Sequence, residues 1–161
     1  MQIFKSLFRR VDPRSTAQPS LVSDMHDLRP YLLKSGITFE NKEPIEILGM
    51  KMDRVLMRRP GSVLAIGFGG GYFHVVQMIG LTRSLTPKEI VDYNASTQLF
   101  NLTPSNPSLE SSREPSVAII KAHVPAGSGA VVEALLSLLT LSEDATEKLV
   151  SLVGKSDVRS I

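Results

Sequence analysis

The clearest structural signals in this chain lie in residues 72–94, which read YFHVVQMIGLTRSLTPKEIVDYN. The first eight of these residues are mostly aromatic or β-branched, which predicts a β-strand. A helix start follows, because Thr86 can cap the N-terminus, Pro87 suits the first helical position and Glu89 completes a capping box. The stretch therefore predicts a strand that leads into a helix.

Upstream, residues 45–47, 50–59 and 63–66 also have strand patterns, so we expect an antiparallel meander of three or more strands across residues 45–79. Glycines dominate residues 67–71. They do not complete a dinucleotide-binding motif, because Tyr72 occupies the last glycine position and a strand follows instead of a helix. We expect a wide hairpin turn there, with a ligand cradle as the alternative.

Helices are predicted at both ends of this block. The first covers about residues 21–35, with Ser23 or Asp24 as its cap, a break or kink at Pro30 and a stop at Gly36. Strands are predicted at 99–102 and 116–124, followed by an apolar helix at 129–141 and a second helix that restarts at Ser142. The order α-β-β-β-α-β-β-α predicts an α+β fold with an antiparallel sheet.

Composition sets the broad class of this 161-residue chain. Hydrophobic residues make up 42%, the net charge is +2 and cysteine is absent, which excludes a wholly disordered protein, a disulfide framework and thiolate metal sites. No apolar run approaches the length of a transmembrane helix. We expect a flexible basic amphipathic tail at 1–20, a single domain at 21–154 and a short tail at 155–161. Residues 1–14 could contact a membrane surface or a partner.

Groups capable of catalysis are few. His74 and His123 lie on predicted strands and could meet across a sheet face, where Asp92 or Glu89 could complete a site. The plainer interpretation is a pair of strand histidines. Ser128 lacks the G-x-S-x-G spacing of a nucleophile elbow and is better explained as a helix cap. We therefore predict no catalytic residues, no metal, no cofactor and no enzymatic activity.

Two sets of residues are candidates for binding. The final helical region is apolar around more than one face, so its leucines are either a subunit interface or core: Leu135, Leu138, Leu139 and Leu149. A basic stretch near Tyr72 and Phe73 could contact nucleic acid or another anion, together with the glycine turn: Lys51, Arg54, Arg58 and Arg59. Interspersed acids and the small net charge make this the less favoured function.

The chain resembles the YbjN family of bacterial proteins, whose fold is similar to that of type III secretion chaperones. The resemblance rests on the strand at 72–79, the segment 85–94, Leu99-Phe100, the strand at 117–124 and the apolar final helix. It covers roughly residues 21–153 and implies a cytoplasmic bacterial regulator of sensory transduction. Together these features predict a non-enzymatic protein-binding regulator or chaperone-like adaptor that acts as a homodimer.

Overall fold

The structure is a computed structural model that describes residues 22–56, 62–103, 116–127 and 129–161. These ranges contain three α-helices: α1 (Met25–Lys34), α2 (Pro87–Ser96) and α3 (Val131–Val153). They also contain seven strands: β1 (Ile45–Ile47), β2 (Met50–Val55), β3 (Ser62–Gly69), β4 (Tyr72–Leu81), β5 (Asn101–Thr103), β6 (Val117–Pro125) and β7 (Val158–Arg159). The predicted tail at 1–20, Arg58, Arg59 and Ser128 lie outside the described residues.

The strands form one antiparallel sheet in the order β1-β2-β3-β4-β6-β5, and β7 pairs with the end of β4. This confirms the predicted α+β class. The meander has one strand more than the predicted order, because Leu48 and Gly49 both have positive φ and form a turn between β1 and β2. This turn reverses the chain direction, so residues 45–55 form two antiparallel strands and not one longer strand.

All three helices pack on the same face of the sheet, where they enclose the main core. Leu28 of α1, Tyr93 of α2 and Leu135 of α3 are almost wholly buried in this core, with Phe73 and Val75 of β4 beneath them. The Tyr93 hydroxyl donates a hydrogen bond of 2.9 Å to the carbonyl oxygen of Ala145. Burial raises the pKa of Tyr93 to about 12, so the phenol remains a donor that ties α2 to α3.

Two expected helix breaks, at Ser142 and at Pro30, do not occur. Ser142 does not restart a helix, because its hydroxyl donates to the carbonyl oxygen of Leu139 and the helix α3 continues for 23 residues. Pro30 lies inside α1 without ending it. Pro30 is solvent-exposed, so the helical carbonyl that loses its N–H partner there can bind water. None of the described helices is long and apolar enough to span a bilayer.

The glycine-rich segment forms a hairpin, as expected, but the turn is tight and not wide. Gly70 and Gly71 connect β3 to β4 and have φ values of +62° and +82°, which match a two-residue type I′ turn. Gly67 and Gly69 have a different role, because each lies beneath a methionine of β2. A Cβ atom on Gly67 would lie 2.7 Å from Met52 Cγ.

An arginine joins the start of α2 to the C-terminal residues. The Arg83 guanidinium binds both carboxylate oxygens of Glu89, at 2.6 and 2.9 Å, and its Nε donates to Asp157 at 2.9 Å. Glu89 also accepts from the backbone N–H of Thr86 at 2.8 Å, which completes the predicted capping box. Residues 155–161, expected as a short tail, thus include an ion pair and strand β7.

An asparagine holds the edge strand β5 in place. The Asn94 side chain accepts from the backbone N–H of Leu102 at 2.7 Å and donates to the carbonyl oxygen of the same residue at 3.3 Å. These two bonds imitate the pairing of a neighbouring strand. The end of α2 therefore positions β5 against β6.

We predict that Glu89→Gln changes how stability depends on pH. The Arg83 guanidinium and the Thr86 N–H lower the pKa of Glu89 from 4.5 to about 2. A carboxyl group whose pKa is lower in the folded state stabilises the fold above its unfolded-state pKa, and this stabilisation is lost as the pH falls towards 2. The free energy of unfolding of Glu89→Gln should therefore lie below that of the wild type at neutral pH and approach it in acid. Urea unfolding across this range measures the difference.

Glu133→Gln is the matched control for this pH dependence. Glu133 is an exposed carboxylate in the first turn of α3 with no ion pair among the described residues. Equal pH profiles for the two variants would contradict the role given to the Arg83–Glu89 pair.

We predict that Asn94→Ala lowers the free energy of unfolding by about 1–3 kcal/mol, because the Leu102 backbone groups lose their side-chain partner. Hydrogen exchange at the Leu102 amide should accelerate in the same variant. Asn101→Ala is the control, since Asn101 is an exposed asparagine on β5, the strand that contains Leu102. An Asn94→Ala protein with wild-type exchange at Leu102 would refute the assignment.

Candidate functional site

The sheet face opposite the helices, here called the open face, has an apolar cluster of its own. Its centre consists of four buried residues, Ile47, Met52, Ala65 and Val76. Partly buried side chains pack around them: Ile45, Met50, Met78 and Ile119. Within the described residues, the cluster contains only strand side chains, so no helix packs on this face.

Two basic residues flank the centre of the open face. Arg54 of β2 and Lys121 of β6 are half-buried, and they lie in one row across the sheet with Ala65 and Val76 between them. The described strand positions that share this face by alternation carry no carboxylate. At its margin, Glu40 lies 3.3 Å from the ammonium group of Lys42. The face is therefore apolar at its centre, with Arg54 and Lys121 on either side and with Glu40 next to Arg54 at the margin, where the Glu40 N–H donates to the Arg54 carbonyl oxygen.

The structure divides the predicted basic stretch between the two faces of the sheet. Lys51 is opposite Glu46 on the helix side of β2, whereas Arg54 lies on the open face. Asp53 also lies on the helix side, where it accepts a hydrogen bond of 3.1 Å from Arg29 of α1. The described residues therefore do not bring Lys51 and Arg54 together into one anion site.

The two predicted strand histidines do meet on the open face. His74 and His123 are direct cross-strand partners on β4 and β6, with ring centroids 6.1 Å apart. Tyr72 packs with an edge-to-face geometry against His123, at 5.1 Å between centroids. The His74 Nε2 atom lies 3.0 Å from the carbonyl oxygen of Gly69. A carbonyl oxygen can only accept, so this nitrogen carries the proton and donates it.

The acids expected beside these histidines lie elsewhere. Glu89 binds Arg83, and Asp92 forms an ion pair with Lys88 on α2. Among the described residues, the one cluster of three metal-ligand side chains is Asp24, His26 and Asp27 at the start of α1. These three side chains are largely exposed, and Asp24 is the helix cap. The described part of the chain therefore does not assemble the predicted histidine–carboxylate set.

The four candidate interface leucines are buried in the core of the same chain. Leu135 and Leu149 have no exposed surface, Leu138 is 6% exposed and Leu139 is 9% exposed. Of the two alternatives that the apolar pattern of α3 left open, a subunit interface or the core, the structure places these leucines in the core. The solvent-facing positions of α3 are instead mostly polar or charged, and include Glu133, Glu143 and Glu147, with Leu152 as an exposed apolar residue.

Sequence reasoning did not single out the open face. Its signal is the alternation of apolar residues at Met50 and Met52 and at Val76 and Met78. Those residues were assigned to strands, but alternation alone does not tell which face receives the helices. The cross-strand register of the histidines was likewise decided only by the pairing of β4 with β6.

Comparison with known proteins identifies the fold. Neither a protein-family model nor a curated protein sequence matches the chain. The structure is similar to the crystal structure of YbjN from E. coli, described as "a putative transcription regulator". The similarity has a TM-score of 0.62 at 12% sequence identity, and it covers 86% of this chain and 98% of YbjN. The resemblance predicted from the sequence is thus confirmed in the arrangement of the backbone, and the chain has the fold of YbjN.

Proposed function

We propose that this protein is a non-enzymatic regulator that binds a protein partner on the open face of its sheet. The observation that carries the proposal is the apolar cluster around Met52 and Val76, which no helix covers within the described residues. The fold shared with YbjN supports a regulatory role, since YbjN is itself described in regulatory terms. A cytoplasmic location is part of this proposal.

The side chains of the open face suit a protein ligand. Met50 and Met78, which are partly buried at the edge of the cluster, are unbranched and polarisable, so they can adapt to the shape of apolar groups that pack on them. Methionine-rich surfaces are typical of proteins that bind several related partners. An adaptor or chaperone-like regulator also has to bind several related partners.

Charge indicates which partner fits. Arg54 and Lys121 on the open face attract carboxylates, so the partner segment should carry apolar residues together with Asp or Glu. A second copy of this chain fits less well, because two open faces would bring these cations together. The predicted homodimer stays a prediction that light scattering can test, and it requires a surface other than the four core leucines.

Nucleic acid is the alternative occupant, and it is less well supported. Single-stranded nucleic acid binds best where aromatic rings stack on its bases beside a basic groove. On the open face Tyr72 is 41% exposed, but Phe73 is fully buried on the helix side. Lys51 also faces the helix side, and the described strand cations on the open face, Arg54, Lys121 and Arg159, lie on three different strands.

Cross-linking in the native cell tests the site. A photo-reactive amino acid replaces Met78 on the open face in one full-length variant, and Ser137 on the exposed side of α3 in a control variant. We expect a polypeptide to cross-link at position 78 and not at 137. The cross-linked segment, mapped by mass spectrometry, should contain carboxylates. Equal capture at both positions, or capture of nucleic acid at position 78, would overturn the proposal.

We predict that Lys121→Glu weakens binding of the mapped partner segment about five- to tenfold, because it reverses a charge on the open face. Lys51→Glu makes the same charge change on the opposite face of the sheet and should leave the affinity unchanged. Calorimetry at two salt concentrations measures both variants, and salt should reduce the difference between them. An equal loss of affinity in both variants would indicate a nonspecific charge effect and contradict the site.

A further inference from the structure

We propose that His74 and His123 form a two-imidazole site for a late first-row divalent metal ion, of the class of Zn²⁺, Ni²⁺ and Cu²⁺. The inference does not depend on the proposed function. It uses residues in a different row of the sheet from Arg54 and Lys121.

The sheet register places both imidazoles beside the same point of the open face. His74 and His123 are directly paired on antiparallel strands, which separates their Cβ atoms by about 4.5–5.5 Å. Their ring centroids lie 6.1 Å apart. A metal held by two imidazoles lies about 2.0–2.1 Å from each ligating nitrogen, so small side-chain rotations bring both rings onto one ion.

The hydrogen bond of His74 prepares that ring as a ligand. Its Nε2–H donates to the carbonyl oxygen of Gly69 at 3.0 Å, which leaves the lone pair on Nδ1. Histidines that bind metals usually donate their other ring N–H to a carbonyl or carboxylate, which fixes the tautomer and orients the ring. The hydrogen bond from His74 to the Gly69 carbonyl oxygen is of this kind, and it is present without an ion.

One side of the pair is open to water, which can complete the coordination of an ion, while Tyr72 packs beside both rings. His123 is exposed, and the position opposite His74 on β3 is Gly67, which has no side chain. Met52 lies over Gly67 and adds a polarisable thioether to the same row. Neutral imidazoles with water as the remaining ligands select late first-row ions over Mg²⁺ or Ca²⁺, with the highest affinity for Cu²⁺.

Calorimetry with Zn²⁺ alone tests the site on the full-length protein without a purification tag. We expect one Zn²⁺ per chain, with affinity reduced at least about tenfold by His74→Gln and by His123→Gln. His26→Gln is the control, because the chain has three histidines and His26 belongs to the exposed cluster at the start of α1. It should bind Zn²⁺ as the wild type does.

Nuclear magnetic resonance of the imidazole nitrogens provides a second measurement that loss of structure would not reproduce. Zn²⁺ should shift the Nδ1 resonance of His74 while Nε2 keeps its proton. The variants should unfold at the same denaturant concentration as the wild type without metal, and only the wild type and His26→Gln should be stabilised by Zn²⁺. No Zn²⁺ binding, loss only in His26→Gln, or equal binding by all variants would overturn the proposal.

Discussion

Burial of β4 on both of its faces is the constraint on which this architecture depends. Consecutive residues Val75 and Val76 have no exposed surface, although their side chains point to opposite sides of the sheet. Val75 contributes to the core beneath the helices, and Val76 to the cluster of the open face. A strand with two apolar faces needs neighbours on both edges, and β3, β6 and β7 provide them.

Polar contacts at the two ends of α2 position the elements around the central strands. Glu89 caps its own helix and also binds Arg83, which in turn binds Asp157 near the C-terminus. Asn94 at the other end of α2 fixes the edge strand through Leu102. Both ends of this ten-residue helix thus connect parts of the sheet that lie far apart in the chain. Short elements of this kind gain most of their stability from tertiary contacts.

The sequence predicted the local structure well where a single residue type decides it. The capping box at Thr86 and the glycine hairpin at 70–71 follow directly from side-chain chemistry and from the positive φ that glycine tolerates. The predicted order did not count β1 and β2 as two strands, because Gly49 alone gave a weak turn signal and Leu48, a non-glycine residue with positive φ, gave none. The long helix α3 was divided at Ser142, since a buried serine that bonds within its own helix looks the same in sequence as a cap. The open face depends on which side the helices cover, which is a tertiary property.

Met52 of β2 packs so closely over Gly67 of β3 that the side-chain sizes at these two positions depend on each other. A side chain at position 67 needs a smaller residue at position 52, because a Cβ atom there would overlap Met52 Cγ, and it would also lie 3.1 Å from the carbonyl oxygen of Lys51. The same holds for Gly69 beneath Met50, where the overlapping atom is the sulfur. In any set of divergent sequences with this fold, positions 52 and 67 should therefore covary, as should positions 50 and 69. Such paired changes would trace the register of β2 against β3 through evolution.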